Sequence, residues 1–277
     1  LERPSRLVRQ PGDVDHGDSA RHARRGVRPI TYAVQGEKTS PPFARAFALG
    51  CGGVAIPHDR GPYDGPVAAF GTPPTWPLFD RAIACGDDWY YGDHGIFRRF
   101  KYFRVTKNAM QHDGFGQATD QRWRQLHIDL HPHWRTGGRT IVVCPNSSIY
   151  MGRFGIDAQL WANTIVEYLH TYTDRPVLLR WKRDADQRPL RVDLNDAWLV
   201  VAFSSAAAVE ALAAGVPVCT LAPWASTARM GINDLAGANH PYYPDISARD
   251  QFLFNLAANQ WTLDEIEAGH ARKALNP

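Results

Sequence analysis

Between residues 200 and 218 the chain reads VVAFSSAAAVEALAAGVPV, and few architectures other than an α/β fold accommodate that run. A continuous apolar stretch bounded by a polar pair is the signature of a strand buried on both faces of a parallel sheet. It ends at Ser204-Ser205. An alanine-rich segment of helical character starts at once and stops at Gly215, and VPVCTLA at 216–222 is the next strand. Small residues let such a helix lie close against the sheet. The N–H groups of its first turn, with the helix dipole, form an anion site, and the two hydroxyls add donors. In open α/β sheets, ligands bind beyond the carboxyl ends of the strands. Simple capping of the helix by serine uses the same residues.

The rest of the C-terminal half repeats this alternation. RTIVVCPNSS at 139–148 reads as a buried strand running into a polar loop. IDAQLWANTIVEYLHTYT reads as a helix, with Leu160, Trp161, Ile165, Tyr168 and Leu169 at helical spacing. PVLLRWK at 176–182 and AWLVVAFSS at 197–205 are further strands. DQFLFNLAANQWTLDEIEAG supplies one or two helices, and Thr262 and Glu265 have the spacing of a capping box.

The first half is less regular. ITYAVQG at 30–36 predicts a strand and turn. FARAFALGCGG predicts a helix with Phe43, Ala46, Phe47 and Leu49 on one face, and VAIP and VAAFG are further strands. Residues 77–85 predict a helix. Within 73–116 the crowded aromatic, acidic and basic residues read as loops of a binding face, with a strand at KYFRVT. The polar segment 118–137 reads as a connector between lobes. Residues 1–28, with RHARR at 21–25, read as a flexible arm. The expected organisation is an α/β protein of two Rossmann-like lobes with a central cleft: 29–137 on the acceptor side and 138–277 on the nucleotide-sugar side.

Composition narrows the function classes. With 31 Lys+Arg against 28 Asp+Glu, the formal charge of +3 permits an anionic partner without demanding one. Cys51, Cys85, Cys144 and Cys219 are widely spaced, which disfavours a zinc knuckle; Cys144 and Cys219 end runs that read as buried strands and suit core thiols, and a reducing cytoplasm is the simpler compartment. No apolar run approaches the roughly 20 residues of a membrane span. Neither a Walker A loop nor a GxSxG elbow is present, and HPH at 131–133 is a weak metal lead.

The Ser-Ser turn followed by AAAVEALAAGVPV resembles the donor-binding segment of GT-B glycosyltransferases. The resemblance covers residues 139–245, and the N-terminal lobe by architecture alone. It implies a nucleoside-diphosphate sugar as co-substrate, with phosphates at Ser204, Ser205 and Ala206, ribose near Glu210, and no metal requirement. The second carboxylate of the usual E-x7-E spacing is absent. Asn146, Ser147, Ser148 and Gly152 offer N–H and hydroxyl donors to the same diphosphate. Arg180 and Lys182, two apart at a strand end, would stabilise the departing anion or simply face solvent.

An acceptor hydroxyl needs a base, and Asp93, then His94, are the candidates. The alternative for Asp93 is the cap of a turn before Gly95. Lys38 and Ser40 follow the first strand and could line the cleft. Arg98, Arg99, Lys101, Tyr102 and Arg104, interleaved with aromatic residues, suit a nucleic-acid backbone with base stacking, or a strand with one solvated face. Compact transferases of this kind resemble phage-type enzymes that glycosylate hydroxymethylated pyrimidines in DNA. The expected function is therefore sugar transfer to an acceptor hydroxyl, most readily on DNA, in a host cytoplasm. Surface polysaccharide synthesis and a non-catalytic nucleotide- or nucleic-acid-binding module are the alternatives.

Overall fold

The structure is a computed structural model that describes residues 28–60, 64–182 and 188–276. RHARR at 21–25, and nearly all of the expected arm, lie outside them. The chain forms two compact units, one of residues up to 112 together with those from 257 onward, the other of residues 113–256. This division differs from the expected break at 137/138. The connector carries a short helix whose Trp123 and Leu126 are buried within the second unit, and the C-terminal residues return to the first.

In the first unit β1 (Ile30–Ala33) leads through Gly36, at φ 83°, into α1 (Ser40–Gly50). Pro41 and Pro42 occupy the first turn of α1, where their missing N–H groups cost nothing. β2 (Ala55–Pro57), β3 (Val67–Phe70), α2 (Trp76–Cys85), β4 (Trp89–His94) and β5 (Phe103–Lys107) follow. The strands from β2 through β1 and β3 to β4 are parallel, β5 is antiparallel to β4, and with β10 (Gln260–Trp261) at one edge the sheet order is β10-β5-β4-β3-β1-β2. The outermost strand, β10, pairs Trp261 with Phe103.

Two expectations change here. Residues 89–94, expected in loops, form a strand because Trp89, Tyr90 and Tyr91 are buried between neighbours on both sides. Leu49 is 51% exposed, while Phe43, Ala44, Ala46, Phe47 and Ala48 form the buried face of α1. Phe43 packs on Gly92 of β4 so closely that a Cβ there would sit 2.1 Å from its ring. That glycine lets the helix settle onto the sheet.

The second unit holds α3 (Gln121–Leu126), β6 (Thr140–Cys144), α4 (Ser148–Gly152), α5 (Ala158–Tyr172), β7 (Val177–Leu179), α6 (Leu190–Leu194), β8 (Ala197–Ala202), α7 (Ala206–Ala213), β9 (Val218–Thr220) and α8 (Ile246–Ala258). Its sheet is wholly parallel in the order β7-β6-β8-β9. Ile141, Val143, Leu199, Val201 and Cys219 are buried together against Ile165 and Leu169 of α5. Ala158 and Ala162 complete the inner face of α5, whereas Leu160, expected inside, is 67% exposed. Ala208, Ala211 and Leu212 bring α7 against the sheet with no side-chain exposure. Gly215, at φ 75°, ends the turn beyond α7 as expected; a Cβ there would meet the His133 carbonyl at 2.3 Å. The last two helices, α9 (Leu263–Glu267) and α10 (His270–Leu275), belong to the first unit. The capping box at Thr262 and Glu265 is formed, with bonds of 2.8 and 3.3 Å.

Candidate functional site

In the second unit, β6 comes first in sequence, its successor β7 lies on one side, and β8 lies on the other. The connections therefore diverge between β6 and β8, and their carboxyl ends open a crevice of the kind in which doubly wound sheets take ligands. Asn146, just past β6, and Ser204, just past β8, meet there: the Asn146 side-chain oxygen accepts the Ser204 N–H at 3.0 Å. Ser205 caps α7, its hydroxyl accepting from the Ala207 N–H at 3.3 Å, and Ser147 caps α4, accepting from the Tyr150 N–H at 3.3 Å. Two helix starts thus flank one crevice. Ser147, Ser148, Gly152 and Ala206 are exposed, Asn146 and Ser205 are half-buried, and Ser204 is buried.

Glu210 sits on an exposed position of α7. The surrounding protein still holds its carboxyl above the ordinary carboxylate range, with the Arg180 charge pulling the other way. Arg180, Glu210 and Asp193 also act on Cys144, whose thiol burial pushes up to about 12. Charged groups from three segments thus act on the end of β6. Arg180 is 7% exposed: it is bonded to Asp193 and donates to the Arg188 carbonyl at 2.5 Å, while Arg188 reaches the second Asp193 oxygen at 2.6 Å. The expected pairing of Arg180 and Lys182 along one face of a strand gives way to this arrangement. β7 ends at Leu179, so Arg180 turns into the interior and Lys182 is exposed on the following turn. Phe203 lies among Phe154, Trp161 and Trp224, with ring centroids 5.8, 6.1 and 5.6 Å away. Sequence patterning had not singled out this aromatic wall. Its members come from four separate segments.

The first unit places its candidates differently. Asp93 and Arg104 are direct partners across β4 and β5 and form an ion pair, and the second Asp93 oxygen accepts the His94 N–H at 2.7 Å. Asp93 is thus a strand residue and not the cap of a turn. The His94 ring packs among Phe70, Phe100 and Phe103, at 5.1, 4.7 and 5.8 Å. Ser40 is fully buried, its hydroxyl accepting the Val34 N–H at 2.9 Å, and Tyr102 is buried. Ser40, Tyr102 and Arg104 therefore sit in the framework, where backbone, core and carboxylate occupy them. Lys38, Arg98, Arg99 and Lys101 are exposed. Lys38 follows β1, whose neighbours β2 and β3 make a second divergence of connections.

Among the described residues no helix is long and apolar enough to cross a membrane. No protein-family model matches the chain, and no curated protein matches it. Among solved structures the chain is similar to Thermosulfurimonas dismutans KpsC, beta Kdo 2,4 transferase, with a TM-score of 0.55 and 12% sequence identity over 85% of this chain and 92% of that one. It is also similar to Thermosulfurimonas dismutans KpsC, beta Kdo 2,7 transferase, at a TM-score of 0.49 and 13% identity over 88% and 99% of the two chains. At such identity the first likeness speaks to fold alone, and the fold is an α/β protein of two Rossmann-like, GT-B-like sheets.

Proposed function

We propose that the chain is a glycosyltransferase that takes a nucleotide sugar at the carboxyl ends of β6 and β8 and serves surface polysaccharide synthesis. The observation that carries this reading is the Asn146–Ser204 bond, which closes the floor of the crevice between two serine-capped helix starts. The start of α7, where Ala206 is exposed, would hold phosphate through its backbone N–H and the helix dipole, and Glu210 would receive the ribose hydroxyls. In transfer, the acceptor oxygen attacks the anomeric carbon, the bond from that carbon to the phosphate oxygen breaks, and the nucleotide leaves as an anion. Donors fixed at the start of α7 stabilise the charge that develops there. The proposed base for the acceptor proton is Asp93, with His94 second.

The likeness in fold to a beta Kdo 2,4 transferase favours a saccharide acceptor over DNA. Hydroxymethylpyrimidine DNA, the first expectation, finds no support in the comparisons, and two cations of the basic segment meant to bind it, Arg104 and Lys107, are paired with Asp93 and Asp88.

The test is a binding and turnover panel of CMP-Kdo and nucleoside-diphosphate sugars. Calorimetry follows binding, and chromatography follows release of free nucleotide with and without oligosaccharide acceptors. Micromolar affinity for one donor class and acceptor-stimulated nucleotide release support the reading. Absence of binding by every nucleotide in the panel removes it.

A further inference from the structure

The hairpin between β4 and β5 is anchored at its base and strained at its tip. Gly95 donates to the Tyr102 carbonyl at 2.7 Å, and the Phe97 N–H donates to the Gln260 side chain at 2.9 Å. Phe97 and Tyr102 are buried, so the protruding part is the four-residue turn Arg98–Lys101. Within it Arg98 and Phe100 adopt φ of 50° and 72°. Glycine or asparagine reaches that region cheaply, whereas for a bulky aromatic residue it is an outlier. The strained backbone holds Phe100 outward, 72% exposed. Its ring meets His94 edge-on at 4.7 Å, and the Arg99 guanidinium lies 5.1 Å from its centroid. Strain and an exposed aromatic ring both disfavour the folded chain by itself, and residues held this way cluster where ligands are gripped.

We propose that the Arg98–Lys101 turn recognises the acceptor, a carboxylate-bearing saccharide, with Phe100 as its stacking surface and Arg99 as the partner of the carboxylate. This rests on the glycosyltransferase reading. An aromatic face with cations at its rim suits the C–H face of a sugar ring whose edge bears an acid, because guanidinium and carboxylate make strong charge-assisted hydrogen bonds. A single-stranded nucleic acid calls instead for a row of stacking rings along a track of cations. Past the turn that track ends: Tyr102 and Phe103 are buried, Arg104 is paired with Asp93, and Lys107 with Asp88. One ring with three adjacent cations fits one or two sugar units.

The test uses the full chain, a β-linked Kdo disaccharide as acidic probe, maltose as neutral control, and Phe100→Gly, Phe100→Asn and Arg99→Gln. Gly and Asn keep the left-handed turn without the ring, so melting temperatures should stay at or above that of the parent. Affinity for the acidic probe should fall at least tenfold in all three variants, and maltose should bind far more weakly than the acidic probe. Donor binding, titrated in parallel, should not change. Loss of donor binding in the parent would remove the glycosyltransferase reading itself. With donor binding intact, the proposal on the turn is overturned by any of four results: no binding of the disaccharide, a change within twofold in the Phe100 variants, a marked drop in their melting temperature, or tight salt-dependent binding of an oligonucleotide that requires Phe100.

Discussion

The side-chain oxygen of Asn146 receives the backbone N–H of Ser204 at 3.0 Å, across 58 residues of sequence. That bond ties the loop after β6 to the loop after β8, and Ser204 is buried. Asn146→Ala leaves the N–H without this acceptor and should destabilise the chain by about 1–3 kcal/mol. Asn146→Asp keeps an acceptor but sets a negative charge beside the proposed phosphate. It should retain most of the stability while lowering donor affinity at least as much as alanine does. Thermal melts and donor titrations on the two variants check both halves of this expectation.

Ser205 separates capping from ligand binding. Its hydroxyl caps α7 through Ala207, and aspartate caps a helix as well as serine. Ser205→Asp should therefore melt within a degree or two of the parent while losing at least tenfold in donor affinity, because its carboxylate faces the phosphate. Ser205→Ala should do the reverse, costing about 1 kcal/mol of stability with a smaller loss of affinity. Parallel denaturation and calorimetry read the two effects. If Ser205→Asp binds donor as the parent does, the phosphate lies elsewhere.

Arg180 was legible as a cation at a strand end, but its role was not. Period-two reasoning carries the strand through Lys182, whereas the strand stops at Leu179, and Asp193, 13 residues later, draws the guanidinium inward. Removing Arg180 leaves the buried Asp193 with Arg188 as its remaining partner, so Arg180→Met should cost about 1–3 kcal/mol. Replacing Asp193 as well, in Arg180→Met/Asp193→Leu, should cost less than the sum of the single changes. Arg188, half-exposed, can return to water. Urea denaturation of the double-mutant cycle measures the coupling.

The same contrast holds elsewhere in the chain. The Ser204–Ser205 turn, the alanine helix and Gly215 were readable because strand, cap and stop are contiguous in sequence. Strand β10 was not, since two residues become a strand only through pairing with Phe103 and Arg104, far back in the chain. Leu49 and Leu160 fit helical periodicity yet are exposed. The buried face of α1 is Phe43, Ala44, Ala46, Phe47 and Ala48 and that of α5 is Ala158, Ala162, Ile165 and Leu169, which leaves Leu49 and Leu160 on the outer sides. Asp93 and Arg104 were both picked out as functional, and only the antiparallel register of β4 and β5 makes them partners. Local rules thus found the loop that bounds the proposed donor site, while long-range pairing decided which charges remain available to a ligand.

Glu210 ties pH to both stability and binding. Although Glu210 keeps much of its surface in solvent, desolvation by the protein packed around the carboxyl holds it above the ordinary value of 4.5, and Arg180 offsets this only in part. The folded chain therefore binds the Glu210 proton more tightly than the unfolded chain does. Stability falls as pH rises from 4.5 to the folded value, and the penalty stays constant above that. Glu210→Gln has no proton to lose, so it should be the more stable protein at pH 7, and the two should converge below about pH 4.5. Urea midpoints of both proteins from pH 4 to 8 check the sign; a parent that gains on the variant as pH rises would mean that Arg180 outweighs burial. Binding should run the other way. Ionised Glu210 is the better acceptor for ribose hydroxyls, so donor affinity of the parent should rise across the same window after correction for the donor's own titration. Glu210→Gln should show no such rise, and calorimetry at each pH separates the two curves.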